Sequence, residues 1–456
     1  MDSVVVAKFG GSVIGIDGVD IPEIIQRIKS LSKDAKVIAV FSAPLTTIEG
    51  KRRSLTDVAL ELGSQAEQGN MSDLIILRKT YEKILESVNS EFQDKCSGII
   101  DDCLGKVKIE LETAIKKKEF ADEVRSKTLA FSGEILMSYV MEYVLLSHGV
   151  KSKAVGLENW PIITDNNIES TNFLTSESNK KVEHLERLLD ENNVITIGGF
   201  IGRTTDGTIT TFERGGSDRT AADLGILLNK KFDVKIDLEK DSSVVSADPR
   251  IVKEGLTPVD NLSYNEARLA GMFGMNILDP ISIKEILENG VSLSIIITDM
   301  KNPERTTKIE RKVDTQNGHP IKIITGKKNC AILRIEDESG DRLLKSLEID
   351  KRYSEFVILS PFAKDGIKFS RILFLDGDYV KRNEKYVLGF DALATITYNR
   401  GVITLIGDEM WRVQQIVSTV SYTHLRAHET REDRGWRRGG VKKKGWGGGG
   451  GGGGGG

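Results

Sequence analysis

Three glycine-bearing segments follow apolar runs in this chain, and each carries a residue suited to binding an anion. Lys8 ends the β-branched run Val4 to Phe9 and is followed at once by Gly10, Gly11 and Ser12. Gly198 and Gly199 close the apolar run Val194 to Ile197. Arg214, Gly215, Gly216, Ser217 and Asp218 lie just ahead of a run with helical spacing. Glycines let backbone N–H groups approach an anion closely, because no Cβ intervenes. A helix N-terminus adds partial positive charge for the same ligand. These parts suit phosphoryl transfer, which needs positioning and charge neutralisation from Lys, loop amides and Mg2+. Other chemistries lack their motifs. The sequence has no G-x-x-x-x-G-K-S/T phosphate loop, no G-x-G-x-x-G after the first strand, no H-E-x-x-H and no Cys/His zinc spacing. No nucleophile triad is evident.

Each feature taken alone also has a plain structural reading. Gly-Gly after a strand serves as a turn, and Lys8 can be a solvated strand end. Glu134, inside an apolar helical stretch, can be a satisfied core carboxylate or a charge at a helix N-terminus. Arg214 and Asp218 can pair across a helix start.

The elements that must position these residues follow from periodicity. Val4–Phe9, Val37–Phe41, Ala154–Val155, Val194–Ile197, Gly207–Phe212, Val234–Leu238 and Val291–Thr298 read as strands. Ile21–Leu31, Thr220–Leu228, Glu266–Phe273 and Ile281–Glu288 read as helices. The stretch 56–148 is mostly helical, and Lys127–Leu146 is its strongest helix. Near-continuous apolar strands alternating with helices predict an α/β domain around a mainly parallel sheet over 1–305. Residues 306–318 are polar and read as a linker. Beyond them, Ile321–Ile324, Ala331–Ile335, Phe356–Leu359, Ile372–Leu375, Ala392–Tyr398 and Val402–Ile406 read as short strands, with a polar break at Lys381–Lys385. This region, 319–420, suits one or two small α+β modules.

Composition bounds the class. With 39% hydrophobic and 29% charged residues the 456-residue chain is expected to be globular and soluble, with two to four domains. No run reaches the ~18 apolar residues of a membrane span, so no membrane partner is expected. Nor is a nucleic-acid partner, since the one basic run that could suggest it, RRGGVKKK, lies in the terminal segment set aside below. Three cysteines, Cys96, Cys103 and Cys330, argue against a disulfide framework. With no signal-type segment after Met1, the expected location is cytoplasmic. From Ser421 the chain loses apolar periodicity and ends in a run of glycines. This segment, 421–456, resembles a translated sequencing adapter with poly-G read-through, so the natural C-terminus is expected to be absent. It carries eight Lys and Arg against three Asp and Glu, which leaves the rest of the chain at −8 against −3 for the whole.

The order and combination of the motifs resemble those of aspartate kinases within the amino-acid kinase superfamily. KFGGSV at Lys8–Val13 is similar to the opening of that family, FSAP at Phe41–Pro44 to its second strand, and FSGE at Phe131–Glu134 to its S-x-G-E. GGFIGRTTDGTITTFERGGSDRTAADLG, from Gly198 to Gly225, resembles the segment most specific to the family. SADPRIV at Ser246–Val252 and LSYNEARLAGMFGMNILDP at Leu262–Pro280 follow in frame. The islands are collinear over about 1–310.

The resemblance implies a three-layer α/β sandwich, followed by ACT-like modules of which the second is truncated. It implies that L-aspartate and ATP, with Mg2+ carried by the nucleotide, give 4-phospho-L-aspartate and ADP, the first step toward lysine, threonine and methionine. Lys8, Gly10, Gly11 and Ser12 would hold the phosphates, with Asp248 and Arg250 at the nucleotide site. Ser42 and Thr56 would touch the amino acid, together with Gly215, Gly216 and Ser217. Glu134 would bind its ammonium and Arg214 its carboxylate, while Asp218 would orient the reacting groups. An amino-acid effector at the ACT-like region and a homodimer or larger homo-oligomer would accompany this activity. No protein metal site is expected.

The chain also departs from the family. Lys240 and Ser242 replace two carboxylates, Asn276 replaces a lysine and Asp279 a histidine, and an insertion follows Ser42. These changes are expected to weaken ATP binding or change nucleotide preference. They keep two other readings open: a sibling kinase acting on another carboxylate, carbamate or phosphate, and a degenerate amino-acid-binding subunit. The pair Glu134 and Arg214 favours an amino acid over a nucleoside monophosphate.

Overall fold

The computed structural model describes residues 2–71, 73–213, 215–313, 321–349 and 355–408. Its main sheet has eight strands. The Ser3–Phe9 strand lies at the centre, parallel to Lys36–Phe41 on one side and to Asp233–Lys240 on the other. Val194–Gly198 and Ser152–Ala154 extend the first flank in parallel. Ser294–Asp299 extends the second flank in parallel, Thr306–Glu310 then runs antiparallel, and Asn261–Ser263 forms the edge. Val4 to Phe9 are buried along their whole length, as expected of a strand covered on both faces.

Strand alternation shows the three layers directly. Asp237 and Glu239 face Arg27 of the Ile21–Leu31 helix, with ion pairs of 2.8 and 2.6 Å. Their neighbours Ile236 and Leu238 must then face the opposite side. There the Gly216–Leu228 helix packs on Ser3–Phe9 and Asp233–Lys240, its Gly225 placed against Ile236. Helix, sheet and helix are thus stacked in that order.

Several sequence expectations need correction. Lys127–Leu146 is not one helix: Asp122–Ser132 ends at Gly133, and a second helix, Glu134–Ser147, begins immediately. Gly133 departs from helical geometry (φ −125°, ψ −101°), and the Tyr81 hydroxyl donates to the Ser132 carbonyl and to the Gly133 carbonyl, which also accepts from Met137 N–H at 2.8 Å as the next helix begins. Both helices are buried core elements despite their apolar length. Thr306–Glu310, expected to open a linker, is a strand of the main sheet. Thr307 and Ile309 point inward and Lys308 and Glu310 outward, so polar composition here marks an outer strand. Finally, the 381–385 break is helical, divided between Gly377–Arg382 and Glu384–Leu388.

The C-terminal region forms one four-stranded antiparallel sheet, in the order Phe356–Lys364, Ile367–Phe374, Ile323–Glu336, Thr395–Ile406. The two runs expected around 321–335 are one strand, interrupted by register shifts near Lys327 and Cys330. One face of the sheet buries Leu333, Ile335, Ile372 and Phe374 against Leu343, Leu347, Val380 and Val387. Cys330, Leu373 and Leu375 instead pack on Met272 and Phe273 of the larger domain. The Ile323–Glu336 strand also bonds to that domain: Ile324 N–H donates to the Ser246 carbonyl at 2.8 Å, and Thr325 Oγ1 to the Phe273 carbonyl at 3.0 Å. The second ACT-like unit expected from 391 onward supplies Thr395–Ile406 to this same sheet; its remainder lies outside the described residues.

Candidate functional site

The direction of neighbouring connections reverses at the central strand. In such a sheet a crevice opens at the carboxyl ends of the strands. Lys8, Ser42, Gly198 and Lys240 all stand at those ends. The loops leaving the strands stay close together. Ser42 N–H donates to the Phe9 carbonyl at 3.1 Å, and Gly199 N–H to the Phe41 carbonyl at 2.8 Å.

The Gly216–Leu228 helix points its N-terminus at this crevice. Gly215, just ahead of it, has φ +93°, a left-handed turn that a side chain would strain. Gly199 lets the helix start come close: a Cβ there would lie 2.6 Å from the Ser217 Cβ. With that approach, Ser42 Oγ donates to Ser217 Oγ at 3.0 Å.

Asp218, in the first turn of the helix, is the electrostatic centre of the site. Its Oδ1 lies 2.9 Å from Lys8 Nζ, and its Oδ2 lies 3.5 Å from Lys240 Nζ. Asp279 N–H donates to the same Oδ2 at 3.3 Å. Burial pushes the Asp218 carboxyl up, but Lys240 and Lys8 outweigh it and hold the group down at about 2. Lys240 shows the reverse balance. Burial lowers its pKa and Lys8 adds to that, against the opposing pull of Asp218. Asp279 caps the Pro280–Glu288 helix, accepting from Ile281 N–H at 2.9 Å. Burial raises its carboxyl to about 7, over the opposing hydrogen bond from Ile281 and the attraction of Arg219.

Glu134 forms the second charged centre, placed at the start of its helix by the Gly133 break. Ala43 N–H reaches its Oε1 at 3.3 Å, while Oε2 is buried without a completed hydrogen bond. Burial raises this carboxyl to about 7, against the pull of its own N–H, Ala43 N–H and the Thr56 hydroxyl. A buried carboxylate oxygen lacking a donor is costly and favours a cationic partner. Ser42–Ala43 joins this centre to Ser217–Asp218, so the Glu134 carboxylate and the Lys8–Asp218 pair border one crevice.

Six of the residues expected from sequence come together here: Lys8, Ser42, Thr56, Glu134, Ser217 and Asp218. Gly10 and Gly11 start the single turn Gly11–Ile14, with Ser12 exposed on it; a Cβ on Gly10 would lie 3.2 Å from Lys8 Nζ. Gly215 and Gly216 form the turn into the long helix. Asp248 and Arg250 are joined to each other, with Nη2 to Oδ2 at 2.6 Å, rather than to the Lys8 cluster. Arg214 lies outside the described residues. Lys240 was missed as a site residue, because its side chain was read only as a lost carboxylate. Only the strand pairing reveals it: Lys8 is opposite Leu238, and two residues further along the strand return to the same face.

Residues 3–299 match the amino acid kinase family. An aspartokinase from Rickettsia felis is 29% identical over 209 residues, covering 46% of this chain and 50% of that protein. The chloroplastic bifunctional aspartokinase/homoserine dehydrogenase 1 of Arabidopsis thaliana is 26% identical over 349 residues, covering 74% of this chain and 36% of that protein. The chain thus spans half or less of the length of these curated relatives. Among solved structures, E. coli aspartokinase III in complex with aspartate and ADP matches with a TM-score of 0.70 at 17% identity, over 90% of this chain and 89% of that one. At that identity the likeness is one of fold.

Proposed function

Because the chain belongs to the amino acid kinase family, we propose that it is an aspartate kinase, moving the γ-phosphoryl group of ATP to the side-chain carboxylate of L-aspartate. The observation that carries this reading is the shared crevice, with Lys8 and Asp218 2.9 Å apart at one end and the half-satisfied Glu134 carboxylate at the other. The aspartokinase relatives and the aspartate and ADP held by the matching enzyme support the choice of substrates.

In the proposed reaction Glu134 receives the ammonium of aspartate, and the hydroxyls of Ser42 and Ser217 border the carboxylate that attacks. That carboxylate is already ionised, so no general base is required. One of its oxygens bonds to the γ-phosphorus as the bond to the β,γ-bridging oxygen breaks, and ADP leaves with that electron pair. Lys8 neutralises charge on the transferring group, while Asp218 holds the Lys8 ammonium in place. The role of Arg214, clamping an aspartate carboxylate, rests on its motif. Mg2+ would arrive on the nucleotide phosphates, as the family resemblance implies. A cytoplasmic setting, self-association and an amino-acid effector at the C-terminal sheet belong to the same proposal. The lysine complex of the E. coli enzyme supports the last.

The test is ADP release with aspartate, run beside glutamate and other amino acids on protein lacking residues 421–456. Aspartate-dependent turnover that Lys8→Ala lowers by about two orders of magnitude or more is expected. Turnover with another acceptor alone would point to the sibling kinase. Aspartate binding with no turnover on any acceptor would point to the regulatory subunit.

A further inference from the structure

Asp218 is one buried carboxylate facing two ammonium groups. Lys8 and Lys240 both reach it, and their side chains are only 10% and 14% exposed. Among the described residues, no carboxylate other than Asp218 forms an ion pair with Lys8 or Lys240, and Asp241 attracts Lys240 only from farther away. Asp237 and Glu239, which flank Lys240's strand neighbours, face Arg27 on the opposite side of the sheet. Asp279 offers its N–H, not its carboxylate, to Asp218. Asp241 is exposed. Two cations held close together with one anion, largely out of water, form a site whose energy improves when an anionic ligand enters.

The backbone aims both lysines the same way. Lys8 sits opposite Leu238 in the parallel register, and Lys240 is two residues beyond, on the same face and at the same carboxyl edge. The next pairing, Asp299 with Lys240, fixes the strand from its other side. Met300 N–H donates to the Lys240 carbonyl at 2.9 Å, so the backbone is pinned where the side chain departs.

We propose that Lys240 is a second phosphate-contacting residue, binding the nucleotide's terminal phosphates together with Lys8 while Asp218 sets the spacing of the two ammonium groups. The assignment rests on the kinase reading above and deepens it. Position 240 then strengthens the nucleotide side, contrary to the weakening expected from its sequence.

The test uses the full chain, with Lys240→Met and Lys240→Gln. Calorimetric binding of MgADP is measured separately from turnover with MgATP and aspartate. Both variants should bind MgADP at least about tenfold more weakly and lose about 10²–10³ in kcat/KM for MgATP, while aspartate KM moves little. Lys240→Arg, which keeps the charge, should recover part of the nucleotide affinity. Lys240→Gln keeps a hydrogen-bond donor for Asp218 and removes only the charge, so it decides the matter if the Met variant folds poorly. MgADP affinity within twofold of wild type in the Gln variant overturns the assignment. A wild-type chain that binds MgADP yet phosphorylates no acceptor defeats the kinase reading, but leaves the Lys240 assignment to be decided by ADP affinity. A wild-type chain that binds no MgADP defeats both.

Discussion

Replacing Glu134 with Gln should make the protein more stable and a poorer catalyst, in amounts that the structure sets. The carboxyl is fully buried, and that burial raises its pKa from an ordinary 4.5 to about 7. Each tenfold change in proton affinity is worth ~1.4 kcal/mol, so ionising the folded protein carries a penalty of about 3 kcal/mol. The sign follows from which state holds the proton. Below pH 4.5 both folded and unfolded chains are protonated there and the penalty is absent. Between 4.5 and 7 the unfolded chain has released its proton while the folded one retains it, so stability falls as pH rises. Above 7 the loss is complete. Glu134→Gln removes that slope. At pH 8 the variant's larger domain should be up to about 3 kcal/mol more stable in urea titrations without substrate, and at pH 4.5 about equal to wild type. Its KM for aspartate at pH 8 should rise about 10- to 150-fold, from losing a charged hydrogen bond worth ~1.5–3 kcal/mol. An unchanged KM would refute the ammonium assignment. A variant less stable at pH 8 than wild type would refute the account of the buried charge.

Two further outcomes are expected. Asp218→Asn leaves two buried ammonium groups without their anion, and breaking a buried pair this way costs about 3–5 kcal/mol. It should lower the unfolding midpoint and nearly abolish turnover, whereas a midpoint equal to wild type would contradict the central ion pair. Gly199→Ala puts a methyl group 2.6 Å from the Ser217 Cβ. It should destabilise by ~1–3 kcal/mol and raise the KM for aspartate as the Ser42–Ser217 contact opens; normal kinetics would show that this close approach does not matter.

The site was legible where its parts lie in local sequence. Lys8 with its glycines, Ser42 after the second strand and the Ser217–Asp218 turn are each one strand or helix end, and periodicity marks such ends. Glu134 was visible as an oddity in an apolar stretch, but the break that places it was not. Gly133 sits in a run that reads as one helix, and its geometry is stabilised by Tyr81, fifty-two residues away from Gly133 in sequence. Lys240 was hidden for a related reason: its meaning depends on which strand lies beside it. In the fold, the buried parallel strands were plain because they are apolar throughout. Thr306–Glu310 was not, since an outer strand with alternating charges has the composition of a loop.

The strand bond between Ile324 and Ser246 has a further consequence. Ala247 bridges Ile324 directly, and Asp248 is the next residue along. On the other side, Gly274 sits against the Gly326 carbonyl, five residues before Asp279. One stretch of C-terminal backbone is therefore clamped between two loops that lead toward the crevice. Excising the C-terminal sheet would unlace both loops at once, so the larger domain is not a detachable engine. A shear of that sheet would be felt at the cleft through the peptide chain itself.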